Sequence, residues 1–378
     1  MIARTLFTPE HAQFRDAVRK FFARELVPNL ARWDAQGMVD KAFWRRCGEQ
    51  GLLCPDMPEE YGGAGLDFRA NAIVLEETSY TGSPTPAFGV HSDIVAHYLL
   101  KYAAEEIRRT WIPRMADGTA IGCICMTEPA GGSDLKALRT TARRDGDHWR
   151  IDGSKTFITN GATADLAIIA ARTGAEPGAK GISLFFCETD RPGYHVGRKL
   201  DKVGQPSSDV TEVFFEDLLV PAHYLLGIEN AGFAHMMQEL PQERLSIAVS
   251  AHAAAQRAWD ITVEYVKQRQ AFGGTLLDFQ NTRFVLADLR AKLQVGWAHL
   301  DACIMALVGK QLTTDEAAGA KLWHTELRCE VTDACVQLFG GYGYMNEYEI
   351  ARLWKDARIQ RIYGGSSEIM KELISRAI

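Results

Sequence analysis

The hydrophobic period of this chain changes twice, and those two changes constrain the fold more than any single motif. Residues 1–118 carry a helical period. Thr8-Pro9-Glu10 opens a helix on which Phe14, Val18, Phe21 and Phe22 recur at helical spacing. A Gly/Pro-rich loop over 55–65 interrupts it, and helical patterns resume near 70–80, 91–102 and 104–117. From 119 to 228 the pattern shifts to short strand-like runs at 121–127, 140–144, 148–152, 155–159, 166–171, 182–187 and 210–215, and Asp145-Gly146 marks a hairpin. No helices separate these runs, so they predict a barrel or sandwich rather than a parallel sheet. From 229 onward the helical period returns in segments near 232–270, 278–310, 315–339, 347–357 and 367–377, and Thr313-Thr314-Asp315-Glu316 is a capping box. The expectation is an α+β multidomain chain: an N-terminal all-α domain over 1–118, a middle β-barrel or sandwich domain over 119–228, and a C-terminal four-helix bundle over 229–378.

Composition narrows the function. Hydrophobic residues make up 47% and charged residues 24% of the 378, and the net charge is -6. No broad basic surface for nucleic acid is expected. No apolar run approaches the roughly 18 residues of a membrane span. The eight cysteines are scattered, the only close pair being Cys123 and Cys125. With no signal-peptide core in the first residues, this spacing predicts free thiols in a reducing cytoplasm. There is no G-x-G-x-x-G, Walker A loop, H-E-x-x-H or Glu-x-x-His.

The candidate chemistry lies in one carboxylate and several glycine-rich turns. Pro241 falls inside the helical pattern that begins at Gly232, where it either starts or kinks a helix. Two positions later, Glu243 shares a face with Ile247, Ala251, Ala254 and Ala258. It is either solvated at a helix end or buried and perturbed, and burial would make it a proton acceptor. Thr127-Glu128-Pro129-Ala130-Gly131-Gly132-Ser133-Asp134 leaves a strand end with small residues and hydroxyls suited to a phosphate-bearing group, or is a plain turn. Gly364-Gly365-Ser366-Ser367-Glu368 enters the last helix, where exposed amides suit an anion or a simple cap. Three glycines follow Gln337-Leu338-Phe339, more than a C-cap requires.

Taken in order, these segments resemble the acyl-CoA dehydrogenase family over essentially the whole chain. The matching runs are Cys125-Met126-Thr127-Glu128-Pro129-Ala130-Gly131-Gly132-Ser133-Asp134, Gly153-Ser154-Lys155-Thr156-Phe157-Ile158-Thr159-Asn160-Gly161, Arg269-Gln270-Ala271-Phe272-Gly273 and Gln337 to Gly343. The resemblance implies FAD as cofactor and a CoA thioester as substrate, oxidised to the trans-2-enoyl thioester. It implies that Cys125, Met126, Thr127, Phe157, Ile158 and Thr159 lie along the flavin, and that Gly132 and Ser133 lie near the pyrophosphate, with Ser133 also near substrate. It implies that Arg269, Phe272, Gln280, Gln337, Leu338, Gly340 and Gly341 grip the FAD of a neighbouring subunit in a homodimer or homotetramer, and that Ser366, Ser367 and Glu368 contact the cofactor. It further implies an electron-transfer flavoprotein as acceptor.

One departure is informative. Most members place the catalytic glutamate where this chain has Gly364. Pro241-Gln242-Glu243-Arg244 together with Gly364-Gly365-Ser366-Ser367-Glu368 looks closest to the long-chain branch, which carries the base on the first bundle helix. The resemblance therefore implies Glu243 as base, the Gly364 N–H as a donor to the thioester oxygen, β-hydride transfer to flavin N5, and Pro241, Gln242, Arg244, Gly364 and Gly365 near substrate. Glu239 and Glu368 are the competing carboxylates. Ala234 and His235 stand where the long-chain branch has tyrosines, so chain-length preference does not carry over. The alternatives are a flavin oxidase or monooxygenase, an acyl-carrier-protein dehydrogenase, or a non-catalytic assembly protein on the same fold.

Overall fold

The computed structural model describes residues 3–176 and 178–378. Its N-terminal part is helical: α1 Pro9–Glu25, α2 Leu30–Gln36, α3 Lys41–Glu49, α4 Phe68–Tyr80, α5 Ala96–Tyr102 and α6 Glu105–Ala116. A π-helical segment, Gly89–Val95, runs directly into α5. Thr8 caps α1, its hydroxyl accepting from the His11 N–H. Val18, Phe21 and Phe22 of α1 then pack with Trp33, Phe43 and Trp44.

Strands β1 Gly122–Cys125, β2 Thr141–Asp145, β3 His148–Thr159, β4 Leu166–Arg172, β5 Ile182–Glu188, β6 Tyr194–Lys199, β7 Val210–Pro221 and β8 Leu225–Leu226 form one eight-stranded sheet. Its order is β6-β7-β3-β2-β4-β5-β8, with β1 added beside β4 in parallel. Most pairs are antiparallel, as the hairpin signal predicts, and Asp145 pairs with His148 across the turn. The sheet curls until inward residues of β1 to β7 meet in one core of Cys125, Ile151, Ile169, Phe185, Tyr194 and Val213. Alternate residues of β4 and β5, among them Ile168 and Phe186, face outward and pack on Leu99, Trp111 and Ile112 of the helices. Both faces of β4 are covered, which is why its sequence is an unbroken apolar run.

Two sequence expectations need correction here. The runs at 148–152 and 155–159 are not separate strands but one strand, β3, broken in register near Gly153. Strand β6 went unseen because only Tyr194 of it is buried, leaving no apolar pattern to read.

The C-terminal part holds α7 Gly232–Gln268, a small hairpin of β9 Gln270–Ala271 and β10 Gly274–Thr275, then α8 Gln280–Val308, α9 Thr314–Phe339, α10 Glu349–Ala357 and α11 Ser367–Ser375. Helix α7 does not start at Pro241; it begins at Gly232 and carries the proline in its interior. It lies between α4 of the first domain and α9 of the bundle. The buried Ala251, Ala254, Ala255 and Ala258 allow this close approach. The capping box at Thr313 and Glu316 opens α9.

Inside the sheet, the fully buried Lys155 Nζ lies 2.8 Å from Glu128 Oε1, 2.8 Å from the Ala170 carbonyl and 3.2 Å from the Met126 carbonyl. Glu128 also accepts from the N–H groups of Arg139 and Thr140. Removing one member strands the other charge in the interior. Lys155→Met should cost about 3–5 kcal/mol, read as a lowered unfolding midpoint, and Lys155→Met with Glu128→Gln should recover part of it. An unchanged midpoint in the single variant would show that the pair holds nothing in place.

Candidate active site

The candidate site forms where α7, the π-helical turn with α5, and the loop before α11 converge. Glu243 is buried at 7% exposure, one turn beyond the equally buried Glu239. The two carboxylates differ in their partners. Glu239 accepts from Lys101 Nζ at 2.6 Å and from the Tyr102 hydroxyl at 2.8 Å. Glu243 accepts only from the Tyr98 hydroxyl, 3.2 Å from Oε1. Burial pushes the Glu243 carboxyl up to about 7; the Tyr98 hydroxyl opposes this, Glu239 adds to it, and Arg244 and His97 oppose it. Glu368, the third competitor, is exposed in the first turn of α11. Among the three, Glu243 alone is both buried and free of a cation within ion-pairing distance.

Gly364 sits at φ +65°, a conformation that disfavours any side chain. A Cβ there would also collide with Cδ1 of Ile247, one turn beyond Glu243. The glycine and Glu243 therefore belong to the same site, with Ile247 filling the room that a residue 364 side chain would need. The Gly364 N–H donates to no protein acceptor among the described residues. The turn is anchored behind by Lys321 of α9, whose Nζ donates to the Gly365 carbonyl at 2.6 Å. Burial lowers the Lys321 ammonium to about 8, and Arg244 beside it adds to the shift.

Neighbours of Glu243 hold α7 in register. Gln242 Nε2 donates to the Asp93 carbonyl of the π-helical turn at 3.0 Å. Pro241 is half-buried. Arg244 is buried with Nε and Nη1 unpartnered among the described residues. The Ala234–His235 pair is placed by a stack of His235 on Tyr102, ring centroids 4.2 Å apart.

The segments that the resemblance assigns to flavin meet at the edge of the sheet. Cys125 is buried at the end of β1, and Met126 and Thr127 follow half-buried. The Thr156 N–H donates to the Thr127 carbonyl at 2.9 Å, tying this turn to β3. The β3–β7 register then slips between Lys155 and Ile158. In that bulge Phe157 stands at φ +59° and 66% exposed, while Ile158 is buried and Thr159 half-buried. The bulge thus presents an aromatic ring to solvent on a sparsely populated backbone conformation. Gly132 and Ser133 are exposed in the turn beyond Thr127. Ser366 caps α11, and Ser367 is buried with its hydroxyl donating to Glu326 at 2.6 Å. This arrangement fits a planar aromatic cofactor with a phosphate tail.

Arg269, Phe272, Gln280, Gln337, Leu338, Gly340 and Gly341 gather elsewhere, at the opposite end of the bundle helices. The Arg269 guanidinium lies 5.3 Å from the centroid of the Tyr342 ring, and Phe272 is 97% exposed. Arg269 follows Glu243 by roughly seven turns, or about 40 Å of helix, so one chain does not bring the two groups together.

Sequence reasoning missed Tyr98, Ile247 as a steric partner, and Lys321. A lone lysine among Ala317, Ala318, Ala320 and Thr325 on the buried face of α9 was a readable signal. Nothing in the sequence pointed Tyr98 at Glu243.

Comparison with known proteins identifies the family. The N-terminal, middle and C-terminal domain families of acyl-CoA dehydrogenase match residues 8–119, 123–218 and 230–378. The long-chain specific acyl-CoA dehydrogenase of Sus scrofa mitochondria is 48% identical over 99% of this chain and 88% of its own length. An acyl-CoA dehydrogenase structure from Geobacillus kaustophilus superposes with a TM-score of 0.97, at 42% identity over 99% of both chains. A glutaryl-CoA dehydrogenase from Mycobacterium smegmatis, in complex with FADH2, gives 0.92 at 27% identity over 98% of this chain and 95% of its own. With three domains matched in order along nearly its whole length, this chain belongs to the acyl-CoA dehydrogenase family of oxidoreductases.

Proposed function

We propose that the protein is an FAD-dependent dehydrogenase of acyl-CoA thioesters in which Glu243 removes the α-proton. The observation that carries this reading is the burial of Glu243 without a cation, across Ile247 from a glycine that cannot bear the base itself. A carboxyl group near 7 is half ionised at neutral pH and so matches the task of a general base. The charge that develops on the thioester oxygen needs a donor, and the unclaimed Gly364 N–H supplies one. Met126, Thr127, Phe157, Ile158 and Thr159 would hold the flavin ring, with Gly132, Ser133, Ser366 and Ser367 toward its phosphates. Bound FAD would supply the acceptor, at N5, for the hydride leaving the β-carbon. Pro241, Gln242, Arg244 and Gly365 would line the acyl thioester. The remoteness of Arg269, Phe272, Gln280 and the 337–341 turn supports a role on the FAD of a partner subunit, in a homodimer or homotetramer. An electron-transfer flavoprotein is the proposed electron acceptor, and the cytoplasm the proposed compartment.

Glu243→Gln should retain FAD and bind substrate while anaerobic flavin bleaching by acyl-CoA slows about 10²–10⁴-fold; full-speed bleaching would move the base elsewhere, with Glu368→Gln next. The rate of bleaching in the parent protein should rise with pH through about 7 as Glu243 loses its proton. Stability should move the other way. The folded carboxyl keeps its proton up to about 7 while the unfolded one gives it up at lower pH, so burial costs stability as pH climbs between the two. Glu243→Gln should accordingly unfold at higher temperature than the parent at pH 8 and show little difference at pH 4. Placing the base at the other position should fail: Gly364→Glu in the Glu243→Gln background should not restore bleaching, because Ile247 and the backbone conformation both oppose a side chain there. Recovered bleaching would show that Ile247 yields.

A further inference from the structure

Helices α5 and α7 meet through two tyrosine–glutamate contacts at matching positions and with different chemistry. Tyr98 and Tyr102 lie four residues apart on α5, as do Glu239 and Glu243 on α7, so each pair shares a face. Tyr102 donates to Oε1 of Glu239, and Lys101 takes Oε2 of the same group. That carboxylate has both oxygens engaged. Tyr98 donates to Oε1 of Glu243, and none of the described residues takes Oε2. Oε2 is not among the sealed, unpartnered polar atoms of the interior, so it opens onto accessible space.

We propose that Tyr98 is a positioning residue for proton abstraction: its hydroxyl claims Oε1 of Glu243 and thereby turns Oε2 toward the substrate. This rests on the reading of Glu243 as the base. Tyr98 is fully buried, and its own burial and the nearby Glu243 keep its hydroxyl protonated far above neutral pH, so it remains a donor throughout the working range. A donor to a carboxylate favours the ionised form, and the Tyr98 contact is the largest influence opposing burial at Glu243. The other groups around it are Glu239 and Arg244 on α7 and His97 on α5, with Asp93 on the π-helical turn and Lys321 on α9 packed nearby. His97 is itself held by Asp56 at 2.8 Å. None of these touches Oε1, so the orienting contact belongs to Tyr98.

The test compares Tyr98→Phe, Tyr102→Phe and the parent, all as purified with FAD. Infrared difference titration reads the protonated carboxyl of Glu243 directly, its band identified by its loss in Glu243→Gln. In Tyr98→Phe that titration should move upward by about one pH unit. The acid limb of the bleaching rate should move with it, giving about a tenfold loss at fixed pH below the limb, with FAD content and KM for the thioester unchanged. Tyr102→Phe should leave the Glu243 titration in place, because Lys101 still holds Glu239. Incorporation of 3-fluorotyrosine at 98, a stronger donor of nearly the same size, should shift the titration downward and keeps the test open if Tyr98→Phe folds poorly. An unmoved titration in Tyr98→Phe, or a fluorotyrosine shift in the same direction as the phenylalanine, would overturn the proposal. Failure of the underlying reading looks different: Glu243→Gln would bleach normally while the infrared shift in Tyr98→Phe persisted.

Discussion

A carboxyl group enclosed by protein and given only a neutral hydroxyl for company is the constraint around which this molecule is arranged. Taking a carboxylate out of water is unfavourable unless a cation or several donors compensate. Glu243 has no such compensation within ion-pairing distance, and its proton is correspondingly hard to remove. The environment is maintained by side chains within one turn on either side. Gln242 ties α7 to the π-helical turn through the Asp93 carbonyl, Leu245 and Ala248 pack into the core against α4, and Ile247 presses on the glycine turn. A shift of α7 would open the carboxyl to water and return it to its ordinary range.

Glu239 serves as the internal comparison. It shares the helix, the face and the burial of Glu243, yet Lys101 neutralises it and leaves a structural ion pair. One turn of helix and one lysine separate a salt-bridged carboxylate from one without a cation on its oxygens. The nearby cations are placed away from Glu243 oxygens: Lys321 is spent on the Gly365 carbonyl, and Arg244 is buried with two nitrogens unpartnered. Lys321 therefore supports the turn that carries Gly364 without pairing with the carboxyl, and a paired carboxylate would be a weaker base.

Much of the architecture was legible in the sequence because the signals were local. The capping residues Thr8 and Thr313, the Asp145-Gly146 turn and the helical periods of α7 to α9 depend on near neighbours, and the structure has them where the sequence places them. Elements resting on long-range pairing were not legible. Strand β6 owes its existence to β7 rather than to any apolar pattern, and β1 lies parallel to β4 although β2 and β3 come between them in the chain. The site divides in the same way. Glu243 could be nominated from its helix face and from the glycine at 364, but its burial depends on α4, α5 and α9 closing over it. Tyr98 lies 145 residues away from its partner, and no spacing rule connects them. Pro241 left two readings open, a helix start or a proline inside the helix, and the structure has the second: packing against α4 and α9 accompanies a helix that runs on through it.

Length completes the account of α7. Its N-terminal third bears Glu243, and its C-terminus delivers Arg269 to an exposed cluster with Tyr342 and the glycines after α9. That cluster leaves Phe272 almost entirely in water, and Gln337 and Tyr344 exposed beside it. Among the described residues only the edge of Phe279 approaches the Phe272 ring, and the length of α7 separates this cluster from Glu243 of the same chain. On the proposed reading the same rigid rod serves two cofactor sites, one through its buried carboxyl and the other through its far end. On that reading one continuous element, α7, sets both the position of the proposed base and the position of the end that would meet the partner subunit.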